Sequence, residues 1–249
     1  MTLKKLFAAS AGALLALQSF VPITALGNAV ISAEIQEAYE FAYVNGITTQ
    51  YPIENANVFG AITRAEMAKM IANWAEKTLG IEADTSISVN FTDTASVKGD
   101  LAEAIVRATQ MGLMGQGITA FRPYDTVSRA EFGTLVSRAI FGSTNDGGVP
   151  YFAAHLAALK NAGIINIVPS DPENYTEIRG YVMIQLQRAT EKLDTVSDKC
   201  DDPLVILACL MGDCPAECDE DDDDETEVVK SGDLALTAAA SEDRRAIIN

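Results

Sequence analysis

The chain is poor in several things at once. Its 249 residues include one tryptophan, one histidine and four cysteines, with aromatics at only 7%. So few rings suit small helices better than the core of a β-sandwich. Lys and Arg total 18 against 35 Asp and Glu, a net charge of −17. Nucleic-acid phosphates need Lys and Arg to replace their counterions, so this balance argues against such a partner. About −12 of the charge falls from Asp198 onward, leaving the preceding segment only mildly acidic.

Catalytic signatures are also missing. No Gly-x-Ser-x-Gly, His-Glu-x-x-His or phosphate loop occurs. The lone histidine, His155, falls between Phe152 and Leu156 on an expected helix and reads as structural or surface rather than catalytic. Acidic residues cannot be paired from sequence, so two-carboxylate glycan hydrolysis has no support. The expectation is a protein that is not an enzyme, with no cofactor and no metal.

Lys4 and Lys5 precede an uncharged run from Leu6 to Leu17, and small residues follow at Ala25, Gly27 and Ala29. This is the order of a secretory signal peptide, assigned to residues 1–27. The run is short of the roughly 20 apolar residues that span a bilayer, and Pro22 interrupts its far side. No Cys follows it, so lipoprotein-type cleavage is not indicated. No later apolar stretch is long enough to span. The expected location is therefore secreted and extracellular, with nothing crossing the membrane once the signal is removed. Cys200, Cys209, Cys214 and Cys218 cluster in one segment. In an exported chain they read as up to two disulfides, with three connectivities open. Their spacing of 8, 4 and 3 intervening residues suits zinc poorly.

What the chain does have is a repeat. Three segments, 31–80, 88–143 and 148–194, each give an amphipathic helix, a Gly turn, an irregular loop and a second helix headed by Arg. In the second copy Phe132, Leu135, Val136, Ala139 and Ile140 recur at helical spacing. Met67, Met70, Ile71 and Trp74 do so in the first, and Val182, Leu186 and Ala189 in the third. Turn glycines Gly46, Gly112 and Gly163 are 66 and 51 residues apart; Arg64, Arg129 and Arg179 are 65 and 50 apart. Thr63 with Glu66, and Ser128 with Glu131, predict capping boxes. The glycines supply the left-handed residue that helix ends favour. In the third copy the box is lost, or shifted to Asn174 with Glu177. One helix pair cannot bury its apolar stripe alone, so three pairs should share a core.

Phe91-x-Asp93, Gly112, Phe121-Arg122-Pro123 and Val127-Ser128-Arg129-Ala130-Glu131-Phe132 closely resemble the S-layer-homology repeat. Ile62-Thr63-Arg64-Ala65-Glu66 carries its usual second-helix start intact. The resemblance covers roughly residues 31–193 and is weakest in the third copy. It implies a mainly α fold, three helix-loop-helix repeats packed as a pseudo-threefold bundle. It also implies non-covalent anchoring at the cell wall or S-layer by binding an anionic, often pyruvylated, wall polysaccharide. The arginine that grips the ligand maps onto Arg64, Arg129 and, more loosely, Arg179. Thr63, Ser128, Gly115 and Gly117 map beside it. Free amides at a helix N-terminus together with a guanidinium would form a carboxylate pocket; the bland alternative pairs each arginine with a local Glu or carbonyl. The family's first-helix Trp is absent, its positions matching Glu34, Asp100 and Tyr151. An alternative function is self-assembly, or contact with other surface-layer proteins, through degenerate repeats.

Beyond the repeats, residues 195–218 read as a Cys-rich appendix and 219–230 as a solvated acidic linker. Residues 231–249 read as a tail or the start of a further domain.

Overall fold

The computed structural model describes residues 30–197, 200, 203–212 and 214–215. The expected signal peptide, acidic linker and C-terminal tail lie outside the described residues, as does Cys218. The described chain is mainly helical. Seven α-helices follow in order: α1 Ala33–Val44, α2 Arg64–Thr78, α3 Asp100–Gln110, α4 Arg129–Phe141, α5 Ala153–Asn161, α6 Arg179–Ser197 and α7 Pro203–Met211. Among the described residues the β-structure is limited to three isolated bridges.

Local chemistry sets the helix ends. Both capping boxes form: the Glu66 amide donates to Thr63 Oγ1 at 3.4 Å and the Thr63 amide donates to Glu66 Oε2 at 2.8 Å. At α4 the matching distances are 3.2 and 2.9 Å. Two otherwise orphaned donors are satisfied at each start. In front of α6 stands Ile178, whose side chain has no oxygen to cap with. The shifted box does not take its place: Asn174 bonds Asp171, while Glu177 receives Arg129 and the Ile178 amide. Gly46, Gly112 and Gly163 follow α1, α3 and α5 at φ +66°, +71° and +74°. Each lets the next amide reach back, Ile47 to Ala42, Leu113 to Ala108 and Ile164 to Leu159, at 2.8–2.9 Å.

Burial follows the helical stripe. Met67, Ile71 and Trp74 of α2 share their register with Phe132, Val136 and Ala139 of α4 and with Val182, Leu186 and Ala189 of α6. Eight of these nine side chains are fully sealed and Ala139 nearly so. Removing each larger one from water contributes about 1.5–3 kcal/mol. One indole and two alanines occupy the last register, and the Trp74 Nε1–H donates to Thr190 Oγ1 at 3.0 Å. Around this centre α3 packs on α2, α5 on α4, and α1 on α6. Each outer helix thus rests on the inner helix of the preceding segment, and α1 completes the circuit at the far end of the chain.

Backbone pairing ahead of the inner helices runs the same circuit. The Val127 amide donates to the Ile62 carbonyl (3.1 Å), Glu177 to Val127 (2.8 Å) and Ile62 to Glu177 (3.1 Å). Bridges Thr63–Thr126, Ser128–Thr176 and Ala61–Ile178 flank this triangle. The Phe91-x-Asp93 motif has a local task. Asp93 accepts from the Phe121 and Arg122 amides at 2.8 and 2.7 Å, and the Phe91 and Phe121 rings stand 5.2 Å apart. α7 packs on α6 through Ile206 and Leu210, and Cys209 is bonded to Cys214.

Candidate functional site: three grooves headed by arginine

Each inner helix begins with its arginine, and each arginine lines a groove of its own. Groove A, about 380 Å³, holds Arg64 with the Gly112–Ile118 loop, Glu131, Arg138, Asp146 and Tyr151. Groove B, about 260 Å³, holds Arg129 with Glu34, Asn166, Tyr175, Tyr181 and Arg188. Groove C, about 340 Å³, holds Arg179 with Thr48, Glu66, Lys69 and Asp100. The three positions read as replacing a tryptophan, Glu34, Asp100 and Tyr151, fall one to a groove.

The guanidinium groups are not free. Arg64 is 8% exposed; its Nε donates to the Phe121 carbonyl (2.8 Å) and its Nη1 to Glu131 (3.2 Å). Arg129 is 7% exposed and grips Glu177 bidentately, through Nε and, at 3.0 Å, through Nη2. Arg179, half-buried, donates to the Ala61 carbonyl (2.9 Å) and to Glu66. Every arginine therefore meets a carboxylate from the next segment round the circuit. Burial pulls Arg64 below its ordinary pKa, against the opposing charge of Glu131. Burial alone would push Glu66 up, but bonds from Thr63 and Arg179 outweigh it and hold the carboxyl below its usual range.

The amides expected to be open at these helix starts are also engaged. Those of Arg64, Arg129 and Arg179 donate to the carbonyls of Asp125, Tyr175 and Gly60, and those of Ala65, Ala130 and Gly180 to Pro123, Pro172 and Val58. The Thr63 and Ser128 hydroxyls take the amides of Glu66 and Glu131. The expected pocket of free helix amides and an unpaired guanidinium is absent at all three helix starts. The physical reason is the bridge triangle, which brings a neighbouring backbone against each N-terminus.

Open donors occur elsewhere in groove A. Gly115 and Gly117 adopt φ +82° and +68°, and the amides of Gly115, Gln116 and Gly117 bond no other described group. Of these, Gly115 and Gln116 line the groove, and successive open amides are a type of anion-binding element. Gly115 also has no room for a side chain, since a Cβ would lie 2.7 Å from the Phe91 ring. Tyr151, 43% exposed, stands at the same groove. Arg138, Tyr175 and Tyr181 have no site role in the sequence, and Tyr151 stands there only as one of the positions of a missing tryptophan. Two signals were available: the tryptophan position held by Tyr151, and Tyr181 in the register of Glu66 and Glu131.

His155 is fully buried, with Nδ1 3.0 Å from Ser137 Oγ and Nε2 3.2 Å from Asp146 Oδ1. Ser, His and Asp thus meet, but Ser137 and His155 are both sealed and no substrate atom can reach the hydroxyl. Burial, then Arg138, holds the imidazole below its ordinary pKa, with Asp146 opposing. Among the described residues no group of three or more His, Cys, Asp or Glu is placed to hold a metal ion. No described helix is long and apolar enough to cross a membrane. No protein-family model matches this chain, and no curated protein matches it.

Proposed function

We propose that the chain is an envelope-anchoring module of the S-layer-homology type, its three helix pairs forming a pseudo-threefold bundle whose grooves hold a wall polysaccharide. The observation that carries the reading is groove A, where Gly115 and Gln116, both with open amides, share the lining with Arg64, Arg138, Tyr151 and the carboxylates Glu131 and Asp146. A sugar carboxylate suits the amides and a pyranose face suits the tyrosine. Arg64 acts as floor and positioning residue; Arg138, 54% exposed at its side chain and paired with Asp146 at 2.7 Å, is the cation a ligand meets first.

Retention on purified cell-wall sacculi tests this. The pair Arg138→Gln and Tyr151→Ala changes two exposed groove side chains, gives up one half-exposed pair with Asp146 and should abolish retention, with melting curves to check the fold. Undiminished retention of that double variant counts against groove A.

One observation favours a second reading, assembly with other surface-layer proteins: each headed arginine is already neutralised within the chain. Concentration-dependent association in sedimentation, with no retention on sacculi, supports that reading instead.

A further inference from the structure

Groove B departs from its two counterparts in a specific way. In grooves A and C the third helical residue is Glu131 or Glu66, a carboxylate on the groove wall paired to that groove's arginine. In groove B that residue is Tyr181, 38% exposed. The carboxylate has moved four residues back to Glu177, in the triangle position held elsewhere by Ile62 and Val127. Glu177 is fully buried, and it closes on Arg129 bidentately beneath the groove. Tyr175 and Tyr181 then stand with ring centroids 5.4 and 5.7 Å from the Arg129 guanidinium carbon.

A second observation points to a ligand. Gln185 is 3% exposed and lines the groove; its Nε2 donates to the Tyr181 carbonyl at 3.1 Å, while its Oε1 has no partner. A buried acceptor left without a donor costs about 1–3 kcal/mol unless something supplies one. At the rim Arg188 is paired with Glu34, and the Asn166 amide, with its oxygen turned to the guanidinium, accepts from Nη2 at 2.9 Å and Nη1 at 3.2 Å, so no cation is left uncompensated.

We infer that groove B binds one uncharged sugar ring, a neutral hexose or N-acetylhexosamine unit of the polymer, which lays a C–H face on the tyrosines and donates a hydroxyl or amide hydrogen to Gln185 Oε1. A carboxylated sugar is refused there. It would bring a second negative charge to a desolvated pair that is already neutral, and groove B has no glycine loop of the kind that lines groove A. The size agrees: about 260 Å³ lies just under the roughly 300–1,000 Å³ of drug-sized ligand pockets and fits a single ring. This inference rests on the wall-polysaccharide reading and adds a division of labour, with the acidic unit in groove A and a neutral unit in groove B.

The probe is the polysaccharide released from sacculi, used native and after carbodiimide–borohydride reduction of its carboxyls to alcohols. The full-length protein should still bind the reduced polymer, with less than a twofold change between 0.05 and 0.5 M salt, since no charge is being screened. Tyr181→Ala should weaken binding to the reduced polymer at least tenfold, and so should Gln185→Met, which keeps the side-chain length and removes the acceptor. Melting curves identify any variant that fails to fold, and Gln185→Met then carries the test. Binding of native polymer but not of reduced polymer overturns this inference and leaves the parent reading standing. Wild-type binding of reduced polymer by a folded Gln185→Met also overturns it. Binding of neither polymer overturns both.

Discussion

Replacing Glu177 by isoleucine would give the triangle the residue type found at Ile62 and leave Arg129 without its carboxylate. Two routes give the size of the loss. Removing one partner of a buried ion pair costs about 3–5 kcal/mol. Counted instead as two hydrogen bonds to charged groups at about 1.5–3 kcal/mol each, the loss is about 3–6 kcal/mol. The Ile167 carbonyl, 3.5 Å from Arg129 Nη1, and the two tyrosines soften it toward the lower end. At about 2–4 °C per kcal/mol for a domain of this size, the melting temperature should fall by about 6–20 °C. Adding Arg129→Met to Glu177→Ile removes the stranded cation, and the double variant should recover most of the loss or exceed the parent, as apolar replacements of buried pairs do by about 1–4 kcal/mol. Urea unfolding followed by the fluorescence of the single, fully buried Trp74 supplies the free energies. A cost below about 1 kcal/mol for Glu177→Ile, or a double variant no more stable than the single one, would refute a stabilising buried pair.

Two further outcomes follow from buried polar groups. His155 has a folded-state pKa below its ordinary value, so the unfolded chain takes up a proton first on acidification. Stability should fall as pH drops below about 6.5 and level off once the folded-state value is passed, and His155→Gln should remove that slope in unfolding measured between pH 7.5 and 5. Parallel slopes in both proteins would refute it. Thr190→Val strands the buried Trp74 N–H and should cost about 1–3 kcal/mol in urea unfolding, whereas Thr195→Val, at an exposed site on the same helix, should cost little.

What the sequence makes legible is what depends on near neighbours. Thr63 and Glu66 lie three residues apart, so their box can be read without knowing the rest of the chain, and the left-handed glycines after α1, α3 and α5 are similar. The stripe from Met67 to Trp74 announces its buried face by spacing alone. Partners across the circuit are different. Arg64 finds Glu131 at a separation of 67 residues, Arg129 finds Glu177 at 48, and Arg179 finds Glu66 at 113. No local rule selects those pairs, and the expectation of a cationic notch erred for that reason. The glycine-loop amides of groove A needed backbone geometry, and the tyrosines of groove B are scattered over positions whose shared register emerges only after folding.

An arginine in the first turn of a helix faces the positive end of the dipole, which disfavours it by about 0.3–1 kcal/mol. Retaining one at three successive helix starts calls for a compensating charge, and each receives a carboxylate from the following segment. In two cases that carboxylate is also the capping glutamate, so one side chain closes its own helix start and neutralises its neighbour's arginine. In the third case the two tasks have separated. Glu177 neutralises Arg129 from below, the cap is gone, and the vacated position carries Tyr181. Neutralisation is thus kept in all three grooves while the wall residue is not. The arginine and a carboxylate are what closure of the ring demands, so their presence alone does not argue for a ligand. The freed wall position is where a difference in binding can enter, and it does so in the groove that also holds the unpartnered Gln185 oxygen.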